Sequence, residues 1–376
     1  MKLEYKMNHL IHYLEQIEDP RHKRGIRHQQ LSILIIMILA IVCGYTGLRA
    51  QARFARAYQK TLGEFLPLPR GKVPSYWTLR ELVKSIDFKQ VCQAFNDWMA
   101  QYFYQEGIAI DGKSIKSTVT SPQDSHQNFV SLVSFFGQQS HLVRQVSILE
   151  NNKTSEIQVV QQLFESFQIK KTIFTLDALH CQKKTVEVII RKQNGYIIPV
   201  KKNQPTLRRA IEDTAKNSPL NAWSWTQKGH GHESHCRLKI WEATESMKMQ
   251  WAGLERFISI RRQGFRHHKK FDSTTYHITS ETLSSYRLAG FIRGHRRIEN
   301  NLHWTKDVIL NEDNCGIREP HPAAILGILR NIAFNLLQMN GFKSITEGIC
   351  AMNSNVERLW KIITHSQPKI AYILDG

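Results

Sequence analysis

Residues 106–117 read EGIAIDGKSIKS, and the way this stretch folds decides the fold class. By letter count it holds a nucleotide-binding pattern: Gly107, four residues, then Gly112, Lys113 and Ser114. A phosphate-binding loop needs a strand, a pliable turn whose N–H groups face inward, and then a helix. The four variable positions here are Ile108, Ala109, Ile110 and Asp111. β-Branched residues flanking Ala favour extended backbone, whose N–H groups go to a sheet ladder. Asp111 would set a negative charge among the phosphates. The IKSTVTSP that follows opens a helix poorly. The stretch therefore predicts a buried strand closed by a carboxylate, although Asp-Gly is also an ordinary turn pair.

Outward from that strand the texture is α/β. FVSLVSFF (129–136) and LVRQVSIL (142–149) read as strands around the turn GQQSH. SEIQVVQQLFESF (155–167) has helical periodicity, KTIFTLD (171–177) is a buried strand, CQKKTVEVIIRKQN is a helix, and YIIPV (196–200) is a further strand. Hairpin-linked strands followed by βαβ units predict a mixed sheet covered by helices. Residues of about 205–285 are polar, Trp-rich and β-like, and read as an insertion. Residues 1–95 read as an all-helical N-terminal domain for DNA, and 96–376 as the catalytic domain.

Within the N-terminal part, LSILIIMILAIVCGYTGL (31–48) carries no charge. Its apolar run is short and GYTG reads as a helix stop, so a buried core helix is expected rather than a membrane span. Arg49, Arg53 and Arg56 fall on one helix face, and Ser75 is a candidate N-cap for YWTLRELVKSI.

The 376 residues carry a formal net charge of +19, which favours a polyanionic partner. Six scattered cysteines form no C-x-x-C pair, which fits a reducing cytoplasm. No signal-peptide pattern opens the chain. His230, His232, His235 and Cys236 could suggest zinc, but their glycine-flanked setting reads as a polar loop.

Two further acids can meet Asp111. Asp177 closes TIFTLD, and strand carboxyl ends are where α/β sheets build ligand sites; the alternative is a helix N-cap. Glu299 lies in RGHRRIENNLHWTKDVILNED (293–313), where α-helical spacing puts His295, Arg296, His303 and Lys306 on its face. Ile298, Leu302, Thr305 and Ile309 then form the apolar face, while Asp307, Glu312 and Asp313 are competing acids. Carboxylates are hard oxygen ligands suited to Mg²⁺, and two such ions about 4 Å apart serve phosphodiester chemistry.

With these residues in view, the sequence resembles the insertion-sequence transposases with an Asp-Asp-Glu triad, in the H-repeat-associated group. DPRHKRG, PSYWTLREL, AIDGKSIK, LDALHCQKKT, KKNQPTL, GHGHES, RIENNLHWTKDV and NEDNCGIR carry the likeness, over roughly 15–340. The resemblance implies an RNase H-like mixed-sheet core with a β-rich insertion. It implies Asp111, Asp177 and Glu299 as catalytic ligands of two Mg²⁺ or Mn²⁺ ions. DNA contacts are then expected from Lys113, Lys201, Arg293, His295, Arg297, His303 and Lys306. The expected partners are the element's terminal inverted repeats, target DNA and a second copy of the chain in a homodimer, at the nucleoid and with no membrane. A broader signature would put Tyr at Ile292 and Arg at His295; the narrower group would put Trp at Arg296, Gly at Lys202 and Arg at His232. A degenerate copy that binds DNA without cutting, and a nuclease without strand transfer, are the alternative readings.

Overall fold

The computed structural model describes residues 10–24, 26–102, 105–119, 129–150, 155–229, 232–266, 269–353 and 355–365. Helices α1 (Leu10–Glu15), α2 (Gln30–Val42), α3 (Leu48–Ala57), α4 (Gln59–Phe65), α5 (Tyr76–Ser85) and α6 (Phe88–Ala100) come first. Strands β1 (Gly107–Ser114), β2 (Val130–Gly137) and β3 (Val143–Glu150) follow, then α7 (Glu156–Ser166), β4 (Ile173–Thr175), α8 (Lys183–Arg191) and β5 (Gly195–Val200). Next come α9 (Pro205–Thr214), β6 (Asn221–Gly229), β7 (His232–Glu242), α10 (Glu245–Lys248), β8 (Arg256–Arg266) and β9 (Lys269–Thr279). Helices α11 (Ser285–Arg297), α12 (Pro320–Met339), α13 (Ile345–Asn353) and α14 (Val356–His365) complete the order, a mixed α/β chain with a helical N-terminal region.

The chain packs as two compact units, each discontinuous in sequence. The first gathers residues 1–104, 112–156 and 299–376; the second gathers 105–111 and 157–298. The expected single cut after residue 95 does not describe this packing. In the first unit α12 packs on α2, α5 and α6 and also on β2 and β3, so the N-terminal helices share their core with the C-terminal part.

That core begins at α2, where every residue from Ser32 to Val42 is buried. The helix ends as the GYTG stop predicts. Gly44 takes φ +83°, its N–H donates to the Ile41 carbonyl (2.8 Å), and the Tyr45 N–H donates to Ala40 (2.8 Å). This is the paired Schellman closure that glycine permits. Among the described residues one helix, Pro320–Met339, has the length and apolar content to cross a membrane, and 94% of its apolar window is buried inside the protein. Ser75 caps α5 through the Thr78 N–H, and Arg49, Arg53 and Arg56 are all exposed along α3.

β2 and β3 pair antiparallel, with the strand order β3-β2-β1 in this unit. Two asparagines occupy backbone groups of β3 that would otherwise lie open. The Val143 N–H donates to Asn335 Oδ1 (2.9 Å) while Asn335 Nδ2 donates to the Val143 carbonyl (2.8 Å). Asn96 does the same for Val146 (2.9 and 3.0 Å). A side-chain amide carries one donor and one acceptor, so it can replace a neighbouring strand at one residue.

In the second unit the order is β1-β4-β5-β9-β8-β7-β6. β1, β4 and β5 run parallel, and β9 joins β5 antiparallel through Ile197↔Thr279. The insertion is the antiparallel array β6 to β9, introduced by α9. Its apolar face, with Leu238, Ile240, Ile258 and Ile260, packs with Ile197 against Leu288, Ala289 and Ile292 of α11. Full burial of each aliphatic side chain contributes about 1.5–3 kcal/mol. The insertion sheet thus fixes α11, the helix that leads to Glu299.

Candidate active site

Residues 107–114 form one continuous strand with a buried start, so the backbone of the phosphate-loop pattern is extended throughout. Its register sets the site. Gly107, Ile108 and Ala109 stand opposite Ile173, Phe174 and Thr175 of parallel β4. Two residues further along each chain come Asp111 and Asp177, and residues two apart share a face of a strand. Asp177 retains extended backbone (φ −77°, ψ 162°) just past the carboxyl end of β4, whereas Asp111 does not close its strand as expected, because β1 runs on through Ser114. Asp177 precedes a short 3₁₀ turn, Ala178–His180, but its side chain makes no capping hydrogen bond and is 60% exposed. The N-cap alternative therefore fails at the side chain.

α11 is capped by Ser284, which accepts from the Arg287 N–H, and it brings His295 beside Asp177. His295 Nδ1 and Thr175 Oγ1 are 3.0 Å apart, and its Nε2 lies 3.9 Å from Asp177 Oδ1. One ring thus links β4 to the carboxylate beside it. His277 of β9 is buried nearby; burial first, then Arg262 and His295, push its pKa down to about 3. Burial and the neighbouring Arg296 also lower the pKa of Arg262. Basic groups therefore cluster on the α11 side of Asp177, where an anion would be welcome.

The turn after β5 bears on the same place. Asn203 Nδ2 donates to the Ala178 carbonyl (2.8 Å) and Gln204 Nε2 to the Cys181 carbonyl (2.8 Å). These two side chains of KKNQ hold the segment that follows Asp177, and Lys201 on the same turn is exposed. The motif was visible in the sequence, but which carbonyls it would reach was not. Arg293 and Arg297 are exposed, and Arg293 lies over the Trp225 ring at 5.8 Å.

Glu299 is exposed and begins the C-terminal segment of the first unit. Ile298–His303 and Thr305–Ile309 are wide π-helical turns, with the Leu310 N–H donating to Thr305 and the Glu312 N–H to Lys306. The α-helical stripe expected around Glu299 is accordingly redrawn. Ile298, Leu302 and Thr305 are buried as the apolar face requires, His303 is half-buried, and Ile309 is only half-buried.

Lys306 is the clearest correction. It is 1% exposed and pairs with the fully buried Glu312 at 3.2 Å, so its charge faces inward. Lys113 is 8% exposed and pairs with Asp307 (2.6 Å), Glu312 (3.4 Å) and Asp313 (3.5 Å). Neither lysine presents its charge to a DNA phosphate here. Burial opposes the charge on Lys113, but the three acids raise its pKa above the ordinary lysine value.

Sequence reasoning also missed Glu156. Its carboxylate oxygen stands 2.8 Å from where a Cβ on Gly112 would be, so glycine beside Asp111 keeps room for an acid. The zinc reading of the Gly229–Cys236 loop fails on strand alternation. His235 is exposed and Cys236 buried, on opposite faces of β7, and His230 lies outside the described residues. The exposed face of the insertion instead bears a groove of about 490 Å³ lined by Trp225, His235, Arg237, Lys239, Arg261 and Tyr276.

As carboxylates, Asp111 and Asp177 are donors of the type a hard divalent cation takes, each two residues past the paired Ala109 and Thr175. Among the described residues, no group of three or more acids, histidines or cysteines is gathered as a metal cluster.

A family model for the Transposase DDE domain matches residues 103–336, more than half the chain. The chain belongs to the DDE-domain transposase family. A DDE-transposase-associated model matches residues 11–99, so the family boundary falls near residue 100 even though packing crosses it. The chain is 27% identical over 347 residues to the protein YbfL of Escherichia coli K12, covering 88% of this chain and 91% of that one. It has the same identity and coverage with the H repeat-associated protein YhhI of the same strain. Among solved structures it is similar to the piggyBac transposase of a synaptic complex with hairpin DNA. That match has a TM-score of 0.49 and 8% identity, covering 94% of this chain and 77% of that one.

Proposed function

We propose that the chain is a DNA transposase with an RNase H-like core, which cuts the ends of an insertion sequence and joins them to target DNA. Asp111 and Asp177 would hold two Mg²⁺ or Mn²⁺ ions, with Glu299 as the third acid. Bound there, such ions supply Lewis acidity toward phosphate oxygens and ease deprotonation of water. The chain's own residues bind and orient. His295, anchored on Thr175, fixes the Asp177 carboxylate and adds positive charge beside the scissile phosphate when protonated. Lys201, Arg293, Arg297 and His303 hold backbone phosphates, and Asn203 and Gln204 keep the Asp177 turn in place. Water attacks the phosphodiester at the element end and leaves a 3′-OH. That hydroxyl then attacks a target phosphodiester, displacing a second 3′-oxygen.

The reading is carried by one observation: Ala109 of β1 pairs with Thr175 of parallel β4, and an aspartate, Asp111 or Asp177, stands two residues past each. Family membership supports it, as does a surplus of nineteen positive charges for a polyanion. The partners would be terminal inverted repeats, target DNA and a second copy of the chain, in the cytoplasm at the nucleoid. The test is nicking of a duplex carrying the element's terminal repeat, with and without Mg²⁺ or Mn²⁺. Nicking should require the ion and fall at least a hundredfold in Asp111→Ala and in Asp177→Ala. Equal nicking by both variants would sink the proposal.

A further inference from the structure

Lys113 and Lys306 are basic, yet both are spent inside the first unit. We infer that Glu312 is a positioning residue, a buried carboxylate that ties the β1 segment Gly112–Ser114 to the wide-turned segment opened by Glu299. Lys113 and Lys306 are its two arms, not DNA contacts. The inference rests on the proposal that Asp111 and Glu299 act in catalysis. Lys113 lies two residues past Asp111 on the same strand, and Lys306 seven past Glu299.

The geometry divides the carboxylate between its arms. Glu312 is 0% exposed; its Oε1 lies 3.2 Å from Lys306 Nζ and its Oε2 3.4 Å from Lys113 Nζ. Arg330 of α12 adds a third cation at 3.9 Å from Oε1, while its Nε donates to the Leu310 carbonyl at 3.2 Å. The Glu312 N–H donates to the Lys306 carbonyl at 2.8 Å, which closes the wide turn on itself. α12 comes this close because residue 327 is Gly. A Cβ there would meet Leu132 Cδ1 at 2.6 Å and Glu312 Oε1 at 3.4 Å. Asp307 and Asp313 complete the charge set around Lys113, and Lys116 pairs with Asp313.

The charge state agrees with this arrangement. Burial pushes the Glu312 pKa up, but Lys306, Arg330 and Lys113 outweigh it and hold the carboxyl below its ordinary value. Lys306 moves down, because burial outweighs its single strong partner. A buried ion pair rarely adds stability over apolar groups of the same size, whereas removing one partner leaves a buried charge uncompensated. What such a network supplies is one arrangement of the segments that contribute to it.

The test uses the full chain with Lys306→Met, Glu312→Gln and the double variant Lys306→Met/Glu312→Leu. Each is measured for thermal melting, for terminal-repeat affinity across a salt series, and for single-turnover nicking at saturating DNA with Mg²⁺. The two single variants should melt lower and nick at least tenfold more slowly. The double variant should recover much of the melting temperature without recovering the nicking rate. Lys306→Met should keep the wild-type slope of log affinity against log salt. A slope shallower by about 0.9 marks a lost phosphate contact and overturns the assignment. Wild-type nicking by a folded double variant would reduce the network to a merely structural feature and overturn it as well. Failure of Glu312→Gln to fold leaves the decision to the other two variants. If the wild-type chain does not nick at all, the transposase reading fails on its own, and melting and salt slope still judge the tie. A double variant that melts below both single variants would then overturn it.

Discussion

At the scale of single residues, an acid following an apolar run was legible and the fate of the lysines was not. An apolar run closed by Asp is a local pattern, and Asp111 and Asp177 both follow from it. Whether a lysine meets a phosphate or a buried glutamate depends on partners about two hundred positions away, as with Lys113 and Asp313. His277 gives a residue-scale prediction. Its folded pKa of about 3 lies below the ordinary 6.5, so the unfolded chain binds the extra proton first as pH falls. The stability it contributes is complete above about pH 6.5 and is lost progressively toward pH 3. At pH 5 that loss is about 2 kcal/mol, from 1.36 kcal/mol per unit. His277 Nδ1 is buried without a hydrogen-bond partner, so an apolar residue is tolerable there. Melting of His277→Leu should therefore show a smaller drop between pH 7.5 and pH 5 than wild type. An unchanged drop would assign the acid limb to other groups.

At the scale of elements, periodicity located most strands and helices, because local sterics and burial agree along them. The strand reading of residues 107–111, the stop at Gly44 and the Ser75 cap are of this kind. The segment after α11 is the exception. An i→i+5 bonded turn and an α-helical turn share one sequence pattern, and packing on buried Lys306 and Glu312 selects the wider form. Edge protection of β3 was likewise unreadable, since Asn335 is 192 positions from Val143 in sequence. Asn335→Ala should remove both amide bonds and leave a buried N–H and C=O unmet, at a cost of about 2–4 kcal/mol. Urea melts would register this, and amide exchange at Val143 should quicken more than at Val133 of β2. Equal exchange at the two sites would deny Asn335 that role.

At the scale of the whole molecule, the two compact units interleave along the chain, and no single cut frees either one. A chain ending at residue 298 would lose α12, on which α2, α5 and α6 pack. Its N-terminal helices should then lose cooperative melting and bind an apolar dye, and sharp two-state melting would contradict the shared core. The sequence by itself determined the family, the alternation of strands and helices, and the β-rich insertion. Each is written in neighbouring residues, in periodicity or in motif order. The tertiary structure alone decided which strands lie side by side, and so that Asp111 and Asp177 each follow a residue of the Ala109↔Thr175 pair. It also decided that His295 reaches Asp177, and that Lys113 and Lys306 turn inward to Glu312. Those outcomes depend on burial and charge compensation between residues far apart in the chain, and local patterning carries no record of them.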